Sequence, residues 1–226
     1  MKNSIYILVL SATFLLTSCG PVSKLNKSQA YAGMYKEKPL SVLIMPPINR
    51  STNVEAKEYF HTTLNVPIAN AGYYVIPPFL SMEILKRESA YDSELFINKP
   101  SLKVFNEIFG ADLALFTIIN KWDKSSLASR VTVEIEYILK STLTSEILYY
   151  RKGTILYNTS ISSGNSFLVN ILASAINTAA TKYVDVARAS NSYIFTDLPK
   201  GKYSPKYGLD KLEMAGLKVI KVKLPK

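Results

Sequence analysis

The chain has 226 residues, of which 48% are hydrophobic and 19% charged, a size that suits one ordinary domain with a real core. The net charge is +10 and there is one cysteine, so the fold stands on hydrophobic burial with no disulfide framework and no cysteine-built metal site. The basic excess is uneven: from Leu198 to Lys226 eight lysines face only Asp210 and Glu213.

In chain order, Lys2 and Asn3 lead into the apolar run Ile5–Leu16, a secretory signal too short to span a bilayer. The stretch Leu16-Thr17-Ser18-Cys19 follows. Leu at −3 with small residues at −2 and −1 before a cysteine forms a lipobox, cut once the thiol carries diacylglycerol. Residues 1–18 are therefore read as a lipoprotein signal peptide and Cys19 as the lipid attachment residue. A triacylated (diacylglycerol plus palmitate) N-terminus anchors permanently where one chain would not. Gly20 replaces the aspartate that holds lipoproteins in the inner membrane, and the acid-poor stretch behind it lacks an aspartate-rich surface-export signal. An outer-membrane anchor with the domain facing the periplasm is expected, and nucleic acid is excluded as a partner there.

Residues 19–38 are polar and rich in small residues, which predicts a flexible tether reaching roughly 25 Å. The domain is expected over 39–200, followed by a basic tail over 201–226. Leu40–Met45 is a continuous apolar run stopped by Pro46-Pro47, the pattern of a strand buried on both faces. Val54–Ala71 has an apolar stripe at Phe60, Leu64 and Ile68, predicting a helix capped by Asn53, kinked at Pro67 and ended at Gly72. Tyr73–Ile76 reads as a second buried strand, Phe79–Glu88 and Ser101–Phe109 as helices, and Leu113–Ile119 as a third strand. Arg130–Tyr137 alternates strictly, the mark of a half-buried antiparallel strand, and 146–150 with 153–157 continue a meander around a turn-forming Gly153. Ser166–Arg188 is a long amphipathic helix, and Asn191 opens an irregular tail whose end, Leu217–Lys223, alternates like a strand. The fold class that results is α/β: a single domain with a mixed sheet, βαβααβ and then an antiparallel meander, covered by helices and carrying a long C-terminal helix.

Several segments together carry a resemblance. These are Leu43–Ser51, Tyr59-Phe60 with Thr62-Thr63, Pro67–Pro77, and Glu107–Asp112 with Ala114-Leu115. They resemble a family of uncharacterised bacterial outer-membrane lipoproteins typified by a meningococcal vaccine-candidate antigen. The helix around 173–191 is similar to that family's C-terminal part. The resemblance implies a compact domain similar to the TolB N-terminal domain. More loosely, it is similar to the curli secretion lipoprotein and to lipoprotein activators of peptidoglycan synthases. It implies an interaction role and brings no catalytic residues with it.

The residues themselves add little chemistry. His61 is the only histidine, and it lacks partners for a metal site or a triad. Glu134 and Glu136 share the polar face of one strand, where solvent or lysine contact is the ordinary fate of such a pair. No phosphate-binding glycine loop or nucleophile elbow occurs. No catalytic residue, metal ligand or cofactor is therefore assigned. The best functional candidate is the strand-to-helix loop with Asn49, Arg50, Ser51 and Asn53, where helix-start amides beside Arg50 can face a carboxylate or phosphate. Trp122 is read either as an exposed anchor for a partner or as core packing.

These readings converge on a lipid-anchored, periplasm-facing accessory protein that serves secretion, transport or wall synthesis without catalysis. The alternative is an oligomeric secretion-channel component, supported by the alternation over 130–139. The expected partners are the membrane through the lipid and envelope proteins, with a homo-oligomer also open. Peptidoglycan and anionic lipid are candidates for the basic tail.

Overall fold

The computed structural model describes residues 25–125, 130–158 and 183–224. Cys19, the signal peptide and most of the expected helix over 166–188 lie outside them.

The described chain begins in two short helices, α1 (Lys27–Ala30) and α2 (Ala32–Glu37), and then enters β1 (Ser41–Ile44) and β2 (Ile48–Asn49). Helices α3 (Ala56–Thr63) and α4 (Asn65–Asn70) lead to β3 (Tyr74–Val75). Helices α5 (Pro78–Arg87), α6 (Glu94–Ile97) and α7 (Lys103–Phe109) lead to β4 (Leu113–Ser125). The hairpin strands β5 (Arg130–Ser141) and β6 (Ile147–Asn158), helix α8 (Tyr183–Phe195) and β7 (Val219–Leu224) complete the order. One mixed sheet runs β3-β1-β4-β5-β6-β7, with β2 paired to β4. β3 and β4 are parallel to β1, β2 is parallel to β4, β5 is antiparallel to both of its neighbours, and β7 is parallel to β6.

β1 is buried at every position because helices cover both faces of the sheet there. Val42 and Ile44 point to one side with Leu113 and Leu115, against Phe60, Leu64 and Ile68 of α3–α4 and Ile194 and Phe195 of α8. Leu43 and Met45 point to the other side with Ala114 and Phe116, against Leu85 of α5, Phe96 of α6 and Phe105 of α7. The strict alternation of β5 sends Val131, Val133, Ile135 and Tyr137 into the first core. The apolar face that supported a membrane-strand reading is therefore used within the domain.

Five expectations change. Residues 25–38 are packed helices, not tether: Asn26 and Gln29 form a reciprocal capping box, and Tyr31 and Met34 are buried in the first core. The helix over 54–71 breaks after Thr63, the residue whose carbonyl Pro67 cannot serve as a donor. β6 runs unbroken through Gly153, whose bare Cα lets α8 approach: a Cβ there would meet Ile194 Cδ1 at 2.8 Å. Asn191 lies inside α8, buried, accepting from the Tyr137 hydroxyl and donating to Phe60 O at 3.2 Å and Thr63 Oγ1 at 2.8 Å. The basic tail is also built into the domain, since β7 extends the sheet and Ile220 and Val222 lean on the core.

Candidate functional site

β1 lies between β3 and β4, and the chain leaves β1 toward the α3–α4 face of the sheet but leaves the adjacent β3 toward the opposite, α5–α7 face. Such a switch point opens a crevice beyond the strand, and the sequence-predicted loop occupies it. Pro46 and Pro47 end β1, because a proline nitrogen cannot continue the ladder. β2 then returns to pair Ile48 and Asn49 with Ile118 and Ile119 of β4.

The loop's polar groups satisfy one another. Ser51 N–H and Oγ donate to Asn49 Oδ1 at 3.0 and 2.7 Å. Asn49 Nδ2 donates to Asn53 O at 2.7 Å, and Glu55 N–H donates to Asn53 Oδ1 at 3.0 Å. Arg50 reaches across to Glu94 on α6 at 3.3 Å, both side chains half in water. Ser93 donates its hydroxyl to Pro46 O, tying α6 to the end of β1.

The crevice, about 480 Å³, is walled by Asn49, Ser51, Val54, Lys57, Asp92 and Glu94. Its charges are mixed, and the acidic side chains Glu55 and Glu58 at the start of α3 oppose an anion at that helix end. Lys57 Nζ sits 4.5 Å above the Tyr91 ring. The arrangement suits a polar, mixed-charge protein surface better than a compact phosphate.

His61 is buried beneath the loop, and its Nε2 has no hydrogen-bond partner among the described residues. Burial and the charge of Lys57 lower its pKa below 6.5, so the ring is neutral at pH 7. Trp122 is core, not an exposed anchor: it is 4% exposed, edge-on to Phe60 at 5.6 Å and to Tyr183 at 5.8 Å. Glu136 accepts from Lys152 and Asn120, both at 2.8 Å. Partial burial raises its pKa, and these donors outweigh that and hold it below the usual carboxylate range. It is thus an ion-pair member of the sheet face, not a proton donor at neutral pH. Among the described residues no cluster of three or more His, Cys, Asp or Glu is placed to hold a metal ion. No described helix is long and apolar enough to cross a membrane.

A second cluster lies at the amino end of the parallel strands, and sequence reasoning missed it. Lys27, nearly buried, pairs with Glu213 at 2.8 Å and lies 3.8 Å from buried Asp210. The backbones join as well, with Lys27 N donating to Glu213 O at 2.8 Å and Ala215 N to Leu25 O at 3.0 Å. Behind them the Tyr31 hydroxyl donates to Asp197. Arg151 lies 3.9 Å from that carboxylate and donates to Ile194 O at 2.9 Å. The chain six residues after Cys19 is thus fastened to the segment around residues 210–215. The Asn26-x-x-Gln29 capping box and the buried pair Tyr31 and Met34 were the available sequence signals.

Comparison with known proteins gives a coherent result. The sequence model of the GNA1162-like lipoprotein family matches residues 29–198. The lipoprotein NMB1124/NMB1162 of Neisseria meningitidis serogroup B is 27% identical over 173 residues, covering 75% of this chain and 78% of its own. The crystal structure of lipoprotein GNA1162 from Neisseria meningitidis is similar at 26% identity with a TM-score of 0.50, covering 61% of this chain and 94% of that one. A PelC dodecamer from Paraburkholderia phytofirmans is far more distant, at 11% identity and a TM-score of 0.43 over 72% of this chain and 88% of that one.

Proposed function

The chain belongs to the GNA1162-like lipoprotein family, and on that premise we propose that it is a lipid-anchored accessory protein of the bacterial cell envelope. Cys19 carries the lipid, the anchor sits in the outer membrane, and the domain faces the periplasm. There it binds a protein of the secretion, transport or wall-synthesis machinery rather than transforming a substrate.

The observation that carries this reading is the lipobox ending at Cys19, six residues ahead of a chain clamped to the domain. Six residues span at most about 20 Å, so the lipid holds one end of the folded domain close to the bilayer. The crevice at the carboxyl end of β1 lies at the opposite end of the parallel strands, turned toward the periplasm. Its rim, with Arg50, Lys57, Asp92 and Glu94, offers both signs of charge to a partner.

The test is membrane fractionation of wild-type and Cys19→Ser chains, with thermal unfolding of both. After a high-salt wash, which strips electrostatically held protein, the variant should leave the membrane fraction with its unfolding temperature unchanged. Membrane recovery of the variant at the wild-type level overturns the proposal.

A further inference from the structure

We propose that residues 202–218, with Leu25 beside them, form a bilayer-contact surface that lies on anionic phospholipid head groups. The segment inverts the usual arrangement of a surface loop. Of its two acids, Asp210 is buried, accepting the Lys200 N–H at 2.8 Å beside Lys27, and Glu213, half in water, is paired with Lys27 at 2.8 Å. Its large apolar side chains turn outward, among them Tyr203, Leu209, Leu212, Met214 and Leu217, with Leu209 77% and Leu212 82% exposed. Lys202, Lys206, Lys211 and Lys218 are exposed between them. Leucine, methionine and tyrosine interleaved with lysine is the composition of a surface that seats apolar groups at the acyl boundary and lysines among phosphates.

The backbone is held in this form by tight turns. Ser204 N–H donates to Gly201 O at 2.9 Å, Tyr207 N–H to Ser204 O at 3.0 Å, and Glu213 N–H to Asp210 O at 3.1 Å. Gly72 and Gly201 let the segment press on the start of β3, since a Cβ on Gly201 would meet Gly72 O at 2.4 Å. The surface is therefore built into the fold. It lies at the same end of the domain as the Leu25–Ala215 junction, within reach of Cys19. The choice of a bilayer over another occupant rests on that reach and on the positive excess of the exposed charge, four lysines against a Glu213 already paired with Lys27. The reach depends on the lipid-anchor reading above; the charge and the apolar exposure do not.

The test uses the chain from residue 19 carrying Cys19→Ser, so that no lipid contributes and the chain is cysteine-free. An environment-sensitive fluorophore is placed at Leu212→Cys, and for comparison at Val54→Cys at the opposite end. Vesicles of phosphatidylcholine alone and of phosphatidylcholine with phosphatidylglycerol are added at low and high salt. The anionic vesicles should bind the chain and blue-shift the probe at 212 while leaving that at 54 unchanged, and high salt should release it. Lys206→Glu with Lys211→Glu, checked for an unchanged thermal transition, should weaken binding at least 25-fold, at about fivefold per lysine.

Three results overturn the proposal: no binding to anionic vesicles, a lipid-free blue shift at 212 that tracks dimer formation in sedimentation, or retention on peptidoglycan sacculi in place of vesicles. Mass spectrometry of the wild-type chain reads acylation of Cys19 separately. Vesicle binding without acylation would sink the anchor reading and leave this surface standing.

Discussion

Replacing Tyr31 tests whether the chain just after the anchor is part of the domain. Tyr31 is 3% exposed, its ring lies 5.2 Å from that of Tyr149, and its hydroxyl donates to Asp197. Burial and the Asp197 carboxylate raise the hydroxyl's pKa far above its ordinary value, so it remains a donor at every working pH. Tyr31→Phe keeps the ring and removes one donor from a buried carboxylate that also receives Gly216 N–H at 3.0 Å. Hydrogen bonds to charged groups contribute about 1.5–3 kcal/mol. Tyr31→Ala removes the ring as well, for a total of about 3–5 kcal/mol. At roughly 2–4 °C per kcal/mol for a domain of this size, the two variants should melt about 3–12 °C and about 6–20 °C lower. Denaturant unfolding with an unchanged slope is the assay. A loss below about 0.5 kcal/mol for Tyr31→Ala would restore the flexible tether and refute the clamp.

Other perturbations have equally definite outcomes. Gly72 has φ +95° and a Cβ there would meet Ser204 N at 2.5 Å, so Gly72→Ala should cost more than about 2 kcal/mol. Gly110 has φ +62° with nothing within 4 Å, so Gly110→Ala should cost only about 1–2 kcal/mol; equal losses in thermal melts would deny the Gly72–Gly201 approach. The single imidazole of His61 should titrate by NMR with a midpoint below 6.5. Because its folded pKa is lowered, its contribution to stability is complete above pH 6.5 and declines as the pH falls below that value; a midpoint at or above 6.5 contradicts the buried site. Glu136→Gln should cost less than about 1 kcal/mol at neutral pH, since Lys152 is water-screened. That gap should be constant above the unfolded carboxylate pKa of 4.5 and close as the pH falls through the lower folded value; a gap that widens in acid contradicts the ion pair.

The strands were legible where burial leaves a local imprint. Leu40–Met45 is apolar throughout because β1 is covered on both faces, and Arg130–Tyr137 alternates because only one face of β5 meets the first core. The loop with Asn49, Arg50, Ser51 and Asn53 was placed beyond the carboxyl end of β1 by the same logic, since a double proline after a buried strand marks that end. What was not legible depends on partners distant in sequence. Asn191 reads as a helix breaker until Tyr137, Phe60 and Thr63 satisfy it inside α8. Gly153 reads as a turn until Ile194 is seen to need its space. Trp122 is equally at home on a surface or in a core, and only the rings of Phe60 and Tyr183 decide. Lys27 and Asp210, 183 positions apart, look like solvated charges in any local window.

The most direct measurement of the central claim is mass spectrometry of the N-terminal peptide from the membrane-purified protein. The account predicts a chain whose first residue is Cys19, with its thiol bearing diacylglycerol and its amino group an acyl chain. A free Cys19 thiol, or a first residue elsewhere in the sequence, would contradict it.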